Sequence, residues 1–394
     1  LLLLIYLIFY VAIGMLKEYS GDMTVIFRTD KSNRMKKFWF IFALLLYGLA
    51  ALAQRVDLDR FSFSANYRNL PREPLDTSYK TYTVILETGP MMRSLNQEDE
   101  FNNRINIAGW RLIPYDAHLR ISIVMEDAMI ENTEVKTNVQ IQKDKAGKEI
   151  GKKTTYQSQV TYTFGARIRI TDFKGNLIKQ EVIATRQNKK THLSPVLASE
   201  GEATAYTRFG YLTLLNQLNQ QTLNQVTANL SGNLTHRYGY PEQTVTDFGW
   251  VLNSRKHPEY DGFQRAWMTV RQSMMDMSAN EPLDNVREKL KPSIAYFNQL
   301  KKRYGSEGKT DKKIRYACYF NLSKIYYYLD EPDMALKEAG ELLINGYDSK
   351  DGKQLEAQAS DLKAMMKQSK MKTRHFPVDI ESYRGPDMAS KFYR

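Results

Sequence analysis

From residue 79 to about 187, apolar and polar positions alternate with a period of two. Residues 82–86 form a run of β-formers, residues 117–125 alternate at Leu119, Ile121 and Ile123, and residues 167–170 read Arg-Ile-Arg-Ile. Asp172-Phe173-Lys174-Gly175-Asn176 predicts a hairpin joining 166–171 to 177–185, and residues 143–148 predict a longer polar loop between strands 134–142 and 154–164. One face of such a sheet is apolar and the other carries Arg, Lys, Thr and Gln, so helices must cover the apolar face. Two segments can do so. Residues 94–105 predict a short polar helix, and 202–230 a longer one with Ala205, Phe209, Leu212, Leu215, Leu218, Leu223 and Val226 mostly at helical spacing. The expected fold class is α+β, an antiparallel sheet with helices on one face, followed by an α-helical hairpin domain.

Beyond an aromatic and Gly-rich connector at 235–261, the period becomes helical. Helices are predicted at 262–277, 286–304 (interrupted early by Pro292), 314–329, 332–345 and 355–368. The resulting division is an arm at 54–78, a sheet domain at 79–234, the connector, a helical repeat-like domain at 262–372 and an aromatic tail at 373–394. The tail alternates aromatics with Gly and Pro, which bars a regular helix. We expect part of it to pack back on the helical domain, with Phe376 as anchor.

Residues 35–53 have the three-part layout of a secretory signal: Met-Lys-Lys, an apolar run from Phe38 to Leu49, and Ala51-Leu52-Ala53. Cleavage after Ala53 would leave Gln54 first and 341 residues. Residues 1–34 are then expected to be an upstream extension foreign to the native protein. The expected location is the periplasm or the outer membrane. A first residue of Gln, and not Cys, offers no thioether for a lipid anchor.

Hydrophobic residues at 42% and aromatics at 12% exclude a disordered chain. The net charge of +12 falls to +9 without residues 1–53, and the basic residues are scattered, so nucleic-acid recognition is not expected; anionic headgroups or acidic envelope polymers suit the excess better. Cys318 stands alone, which excludes an intramolecular disulfide, and its apolar neighbours predict a buried thiol.

At fold level residues 79–230 resemble small periplasmic lipoprotein domains of the curli-secretion and Tol amino-terminal class. The resemblance rests on the strand at 79–86, the Gly109-Trp110 step before 116–125, and the strand, Asp-x-x-Gly turn, strand at 168–178. It brings no catalytic residue. Residues 315–347 resemble one tetratricopeptide repeat, with Tyr319, Leu322, Tyr326 and Ala335 at that family's large aromatic, Leu, Tyr and small Ala. Ser323, Ala339 and Tyr347 depart from the pattern. A degenerate repeat would precede it, giving a helical module over about 286–368.

No catalytic motif accompanies this organisation. His118, His192, His236, His257 and His375 lack metal-ligand spacing, and no nucleophile elbow, Walker loop or dinucleotide fingerprint occurs, so no cofactor, metal or enzymatic activity is expected. Asp261 is expected to cap a helix, and the sequons at Asn229 and Asn233 to carry little meaning in a bacterial protein. The leading expectation is an envelope adaptor that binds a protein or peptide partner, with peripheral outer-membrane association. The repeat resemblance places Phe320, Lys324 and Tyr327 on its concave surface. The alternative is a glycan- or lipid-headgroup-binding sheet domain using Trp110, Tyr115 and Arg120.

Overall fold

The computed structural model describes residues 56–95 and 104–386. The signal-like run at 35–53, the segment 1–34 and the end of the tail after 386 lie outside them. From Asp57 on, the described residues form one compact unit with an α+β fold. No helix among them is long and apolar enough to cross a membrane.

The first half is built on a five-stranded sheet of order β3-β2-β4-β7-β8, comprising β2 (Thr81–Thr88), β3 (Arg111–Leu112), β4 (Leu119–Met125), β7 (Ala166–Asp172) and β8 (Leu177–Ala184). Its β4–β7–β8 part is antiparallel, but β2 runs parallel to both β3 and β4. The 30-residue connection from β2 to β4, which includes α1 (Pro90–Leu95), is long enough for the crossover a parallel pair needs. The β7–β8 turn is closed by Asp172, whose Oδ1 accepts from the amides of Lys174 and Asn176 at 2.9 and 2.8 Å, while Gly175 takes the φ of +87° that disfavours any side chain.

Leu119, Ile121, Ile123, Ile168 and Ile170 point to one face and are buried under a helix. The helix expected at 202–230 is two, α2 (Glu200–Arg208) and α3 (Tyr211–Tyr238), broken at Gly210. α3 covers the sheet with Leu218, Leu223, Val226, Leu230 and Leu234. A second, three-stranded sheet, β5-β6-β9, consists of β5 (Met129–Lys143), β6 (Glu149–Thr163) and the short β9 (Lys190–Leu193). Val160 and Tyr162 root it in the same core.

The second half contains α4 (Tyr260–Met275), α5 (Asp284–Arg303), α6 (Lys309–Tyr328), α7 (Pro332–Asn345) and α8 (Ser349–Ser369). Helix α6 lies antiparallel to α7, since Arg315 meets Asn345 at 2.9 Å and the Ser323 hydroxyl donates to the Ala335 carbonyl at 3.0 Å. The small side chains at Ser323, Ala335 and Ala339, all buried, let the two axes approach. Gly346, at φ +66°, ends α7. Cys318 is buried in α6, and burial pushes its thiol up.

The segments read as an arm and a connector are neither. They contain β1 (Leu58–Arg68) and β10 (Glu242–Leu252), paired antiparallel from Leu58↔Leu252 to Arg68↔Glu242. The ribbon lies against the helices. Trp267 of α4, fully buried, meets Phe61 and Phe63 edge-on at 6.0 and 5.7 Å. Asn321 of α6 clamps the backbone of Trp250, accepting from its N–H at 2.8 Å and donating to its carbonyl at 2.7 Å.

Burial holds the imidazoles of His118, His192, His257 and His375 below the ordinary histidine value. For His375 this outweighs the opposing Asp330 carboxylate 4.0 Å away. The unfolded chain, with histidines near pH 6.5, therefore binds more protons than the fold below that pH, and stability falls as pH drops through it. The melting temperature at pH 5.5 should lie below that at pH 7.5, and a flat profile would contradict the assignment of neutral buried imidazoles.

Candidate functional site

The residues expected to grip a partner are covered by the chain's own ribbon. Phe320 is buried and stacks on Phe248 of β10 at 5.4 Å, and Lys324, also buried, pairs with Asp247 of β10 at 2.7 Å. Tyr328 donates to the same Asp247 oxygen at 2.8 Å. Tyr327 joins a cluster with Leu70, Leu362, Met366 and Phe376 of the tail. These aromatic and cationic positions therefore fill an intramolecular interface, which corrects the expectation of an open groove. The sequence displayed the helix face but not what would cover it.

Trp110, Tyr115 and Arg120 do not converge either. Trp110 is in the core under α3, donating through Nε1 to the Tyr238 carbonyl at 2.9 Å. Tyr115 is 80% exposed in a loop. Arg120 stands on the opposite, open face of the sheet, between Thr83 and Thr171 in register. Asp261 lies in the first turn of α4, whose N-cap is Glu259; its side chain makes no capping bond.

A cleft that none of these residues touches opens where the second half of α3 passes over the edge strand β8. Its volume is about 580 Å³. The floor is aliphatic: Ile168, Ile170 and Ile183 from the sheet, Leu230 and Leu234 from the helix. Along the opening run Asn229, Asn233 and Arg237, spaced by four and so on one stripe of α3. The side-chain amides of Asn229 and Asn233 make no hydrogen bond among the described residues. Gly232 lies beside them, and a β-carbon built there would meet nothing within 4 Å, so the absent side chain keeps the mouth clear.

Two pairs of opposite charges close one end. The register sets Lys179 and Glu181 of β8 opposite Ile170 and Ile168, turning both toward α3. Arg237 pairs with Glu181 at 2.8 Å, and Glu73 reaches both Lys179 (3.3 Å) and Arg237 (3.7 Å). The hydrogen bond from Arg237 holds the Glu181 carboxyl below the usual carboxylate range. Glu73 is placed by its own backbone, whose N–H caps the Arg237 carbonyl at 2.9 Å near the end of α3. Two cations and two carboxylates leave the cleft electrically balanced. An aliphatic floor, free amides and a balanced charged end suit a neutral ligand with an apolar face and several hydroxyls. The sequence did carry a signal for this site. Asn-Leu recurs four residues apart at 229 and 233, which places an amide stripe beside a leucine stripe.

Gly232 in a helix interior also costs stability, since glycine is about 0.8–1 kcal/mol less favourable there than alanine. Gly232→Ala should accordingly raise stability by up to about 1 kcal/mol in denaturant melts, and a loss would mean that the site is sterically closed.

No family model and no curated protein matches this chain. Among solved structures, the chain shows a likeness to one described as a neuraminyllactose-binding hemagglutinin homolog from Helicobacter pylori, at 11% identity and a TM-score of 0.23, covering 42% of this chain and 92% of that one. A likeness at that level carries no argument about what this chain binds.

Proposed function

We propose that the protein is a non-enzymatic binding protein of the cell envelope, exported by the signal-like segment at 35–53, whose sheet domain holds a neutral glycan in the cleft between β8 and α3. The observation that carries this reading is the cleft itself, with its aliphatic floor, the free Asn229 and Asn233 amides and the opening left by Gly232. Sugar rings present an apolar face that packs on aliphatic side chains and an edge of hydroxyls that exchange hydrogen bonds with amides and charged groups. In this reading the helical half is a tetratricopeptide-like module closed on its own ribbon, and it supports the sheet domain without offering a groove. The antiparallel α6–α7 pair, with small residues at its contact, favours that view.

The test is saturation-transfer NMR of the chain from Gln54 with neutral envelope oligosaccharides, set against Gly232→Trp, which fills the mouth from an open position. Binding by the wild type and its loss in a variant that melts no lower than the wild type is the expected result. Equal transfer in both proteins, or none in the wild type with any oligosaccharide of the panel, would sink the glycan reading.

A further inference from the structure

Strands β5 and β6 are each 15 residues long, yet only their base is supported. β9 pairs with residues 159–162, the Ser158 hydroxyl donates to the Ala203 carbonyl of α2, and Tyr156 bridges to Leu197. From residue 136 to residue 150 every side chain is exposed. A two-stranded ribbon standing alone in water is marginally stable, and this one also carries apolar side chains that nothing among the described residues covers. Val139, Ile141 and Ile150 are 55%, 52% and 65% exposed. Val139 and Ile141, two apart, share one face, on which Ile141 stands opposite Lys152; Ile150 is the extra residue where the register shifts between Gln142↔Gly151 and Lys143↔Glu149, next to the tip.

The same tip is cationic. Residues 139–153 contain Lys143, Lys145, Lys148, Lys152 and Lys153 against Asp144 and Glu149. Asp144 is spent on the turn, accepting from the amides of Ala146 and Lys148 at 2.9 Å each, and Glu149 lies 3.9 Å from Lys152.

We propose that this hairpin is a membrane-docking arm, whose tip lays Val139, Ile141 and Ile150 into the headgroup boundary of an anionic bilayer while the lysines engage the lipid phosphates. Charge complementarity selects the occupant. The lysines repel a second copy of the same tip, and lysine along a bare strand edge opposes pairing with another strand. Lysine stems beside aliphatic side chains let the ammonium groups stay at headgroup level while the chain below is buried. The arm is separate in the sequence from every residue lining the cleft, so vesicle binding and glycan binding stand or fall independently.

Sedimentation of the chain from Gln54 with vesicles of phosphatidylcholine alone, and with phosphatidylglycerol added, tests it. Binding should require phosphatidylglycerol and weaken as salt rises. Three lysines near an anionic surface contribute about a hundredfold in partitioning, and Lys145→Glu, Lys148→Glu, Lys153→Glu should lose at least that. Val139→Thr, Ile141→Thr, Ile150→Thr, which keeps strand-forming residues, should also weaken binding while leaving the melting temperature and charge unchanged. No binding to phosphatidylglycerol vesicles by the folded wild type would overturn the proposal. So would equal binding by all three proteins, or concentration-dependent dimerisation through the arm, seen in ultracentrifugation, without vesicle binding.

Discussion

Asp330→Asn is expected to cost the protein about 3 kcal/mol, because it removes the only charge beside the buried guanidinium of Arg374 among the described residues. The pair is fully enclosed. Arg374 Nε lies 2.6 Å from Asp330 Oδ1, and the other carboxylate oxygen accepts from the Arg374 amide at 2.6 Å and the Thr373 hydroxyl at 2.8 Å. The guanidinium also donates to the Tyr327 carbonyl at 2.7 Å and lies over the rings of Tyr67 and Tyr327 at 4.1 and 4.8 Å. Removing one partner of such a pair strands the other charge without water, a loss of roughly 3–5 kcal/mol. Asparagine tolerates the positive φ of 59° at this position, so the substitution reports on charge and not on backbone strain.

Arg374 sits in the tail, and its neighbours bind three separate elements. The Arg68 amide of β1 donates to the Arg374 carbonyl at 3.0 Å, the Phe376 amide donates to the Ala279 carbonyl at 2.9 Å, and the Phe376 ring meets Tyr240 edge-on at 5.7 Å. Truncation after residue 372 should therefore destabilise by at least as much as Asp330→Asn, and Asp330→Asn should itself open the tail to protease. Urea melts of the two single variants and of Asp330→Asn with Arg374→Met would give the coupling directly. A loss below about 1 kcal/mol in Asp330→Asn would show that the pair does not hold the tail.

The second large effect is expected at Trp267→Ala, with a loss of about 3–5 kcal/mol. The indole is fully buried between the ribbon and the helices, it donates to the Phe61 carbonyl at 3.3 Å, and Gly249 of β10 leaves it room, since a β-carbon at 249 would collide with the ring. Its removal should loosen β1 and β10 together before the five-stranded sheet. Hydrogen exchange resolved by segment checks this. Unchanged protection in 58–68 and 242–252 would mean that the Lys324–Asp247 pair and the Asn321 clamp hold the ribbon without the indole.

Local features of this chain were legible in its sequence because short-range chemistry decides them. The Asp172-to-Gly175 turn, the inward face of Leu119, Ile121 and Ile123, the helix beginning at Pro332, and Phe376 packing as an anchor of the tail all follow from residues close to one another or from the burial of an obvious apolar group. The cleft was half legible. The recurrence of Asn-Leu in α3 fixes a stripe, but only the β7–β8 register turns Lys179 and Glu181 to face it.

What the tertiary structure alone decided are pairings between distant segments. The segment 58–68, expected only as part of an arm, becomes a strand through a partner at 242–252 that nothing local in the sequence names, because a β-ladder is satisfied by any strand of fitting register and burial selects among them. That pairing in turn decided the fate of Phe320 and Lys324. A helix face bearing aromatics and a cation reads the same whether it awaits a foreign peptide or its own chain, and here the ribbon, held at high effective concentration by the same polypeptide, occupies it.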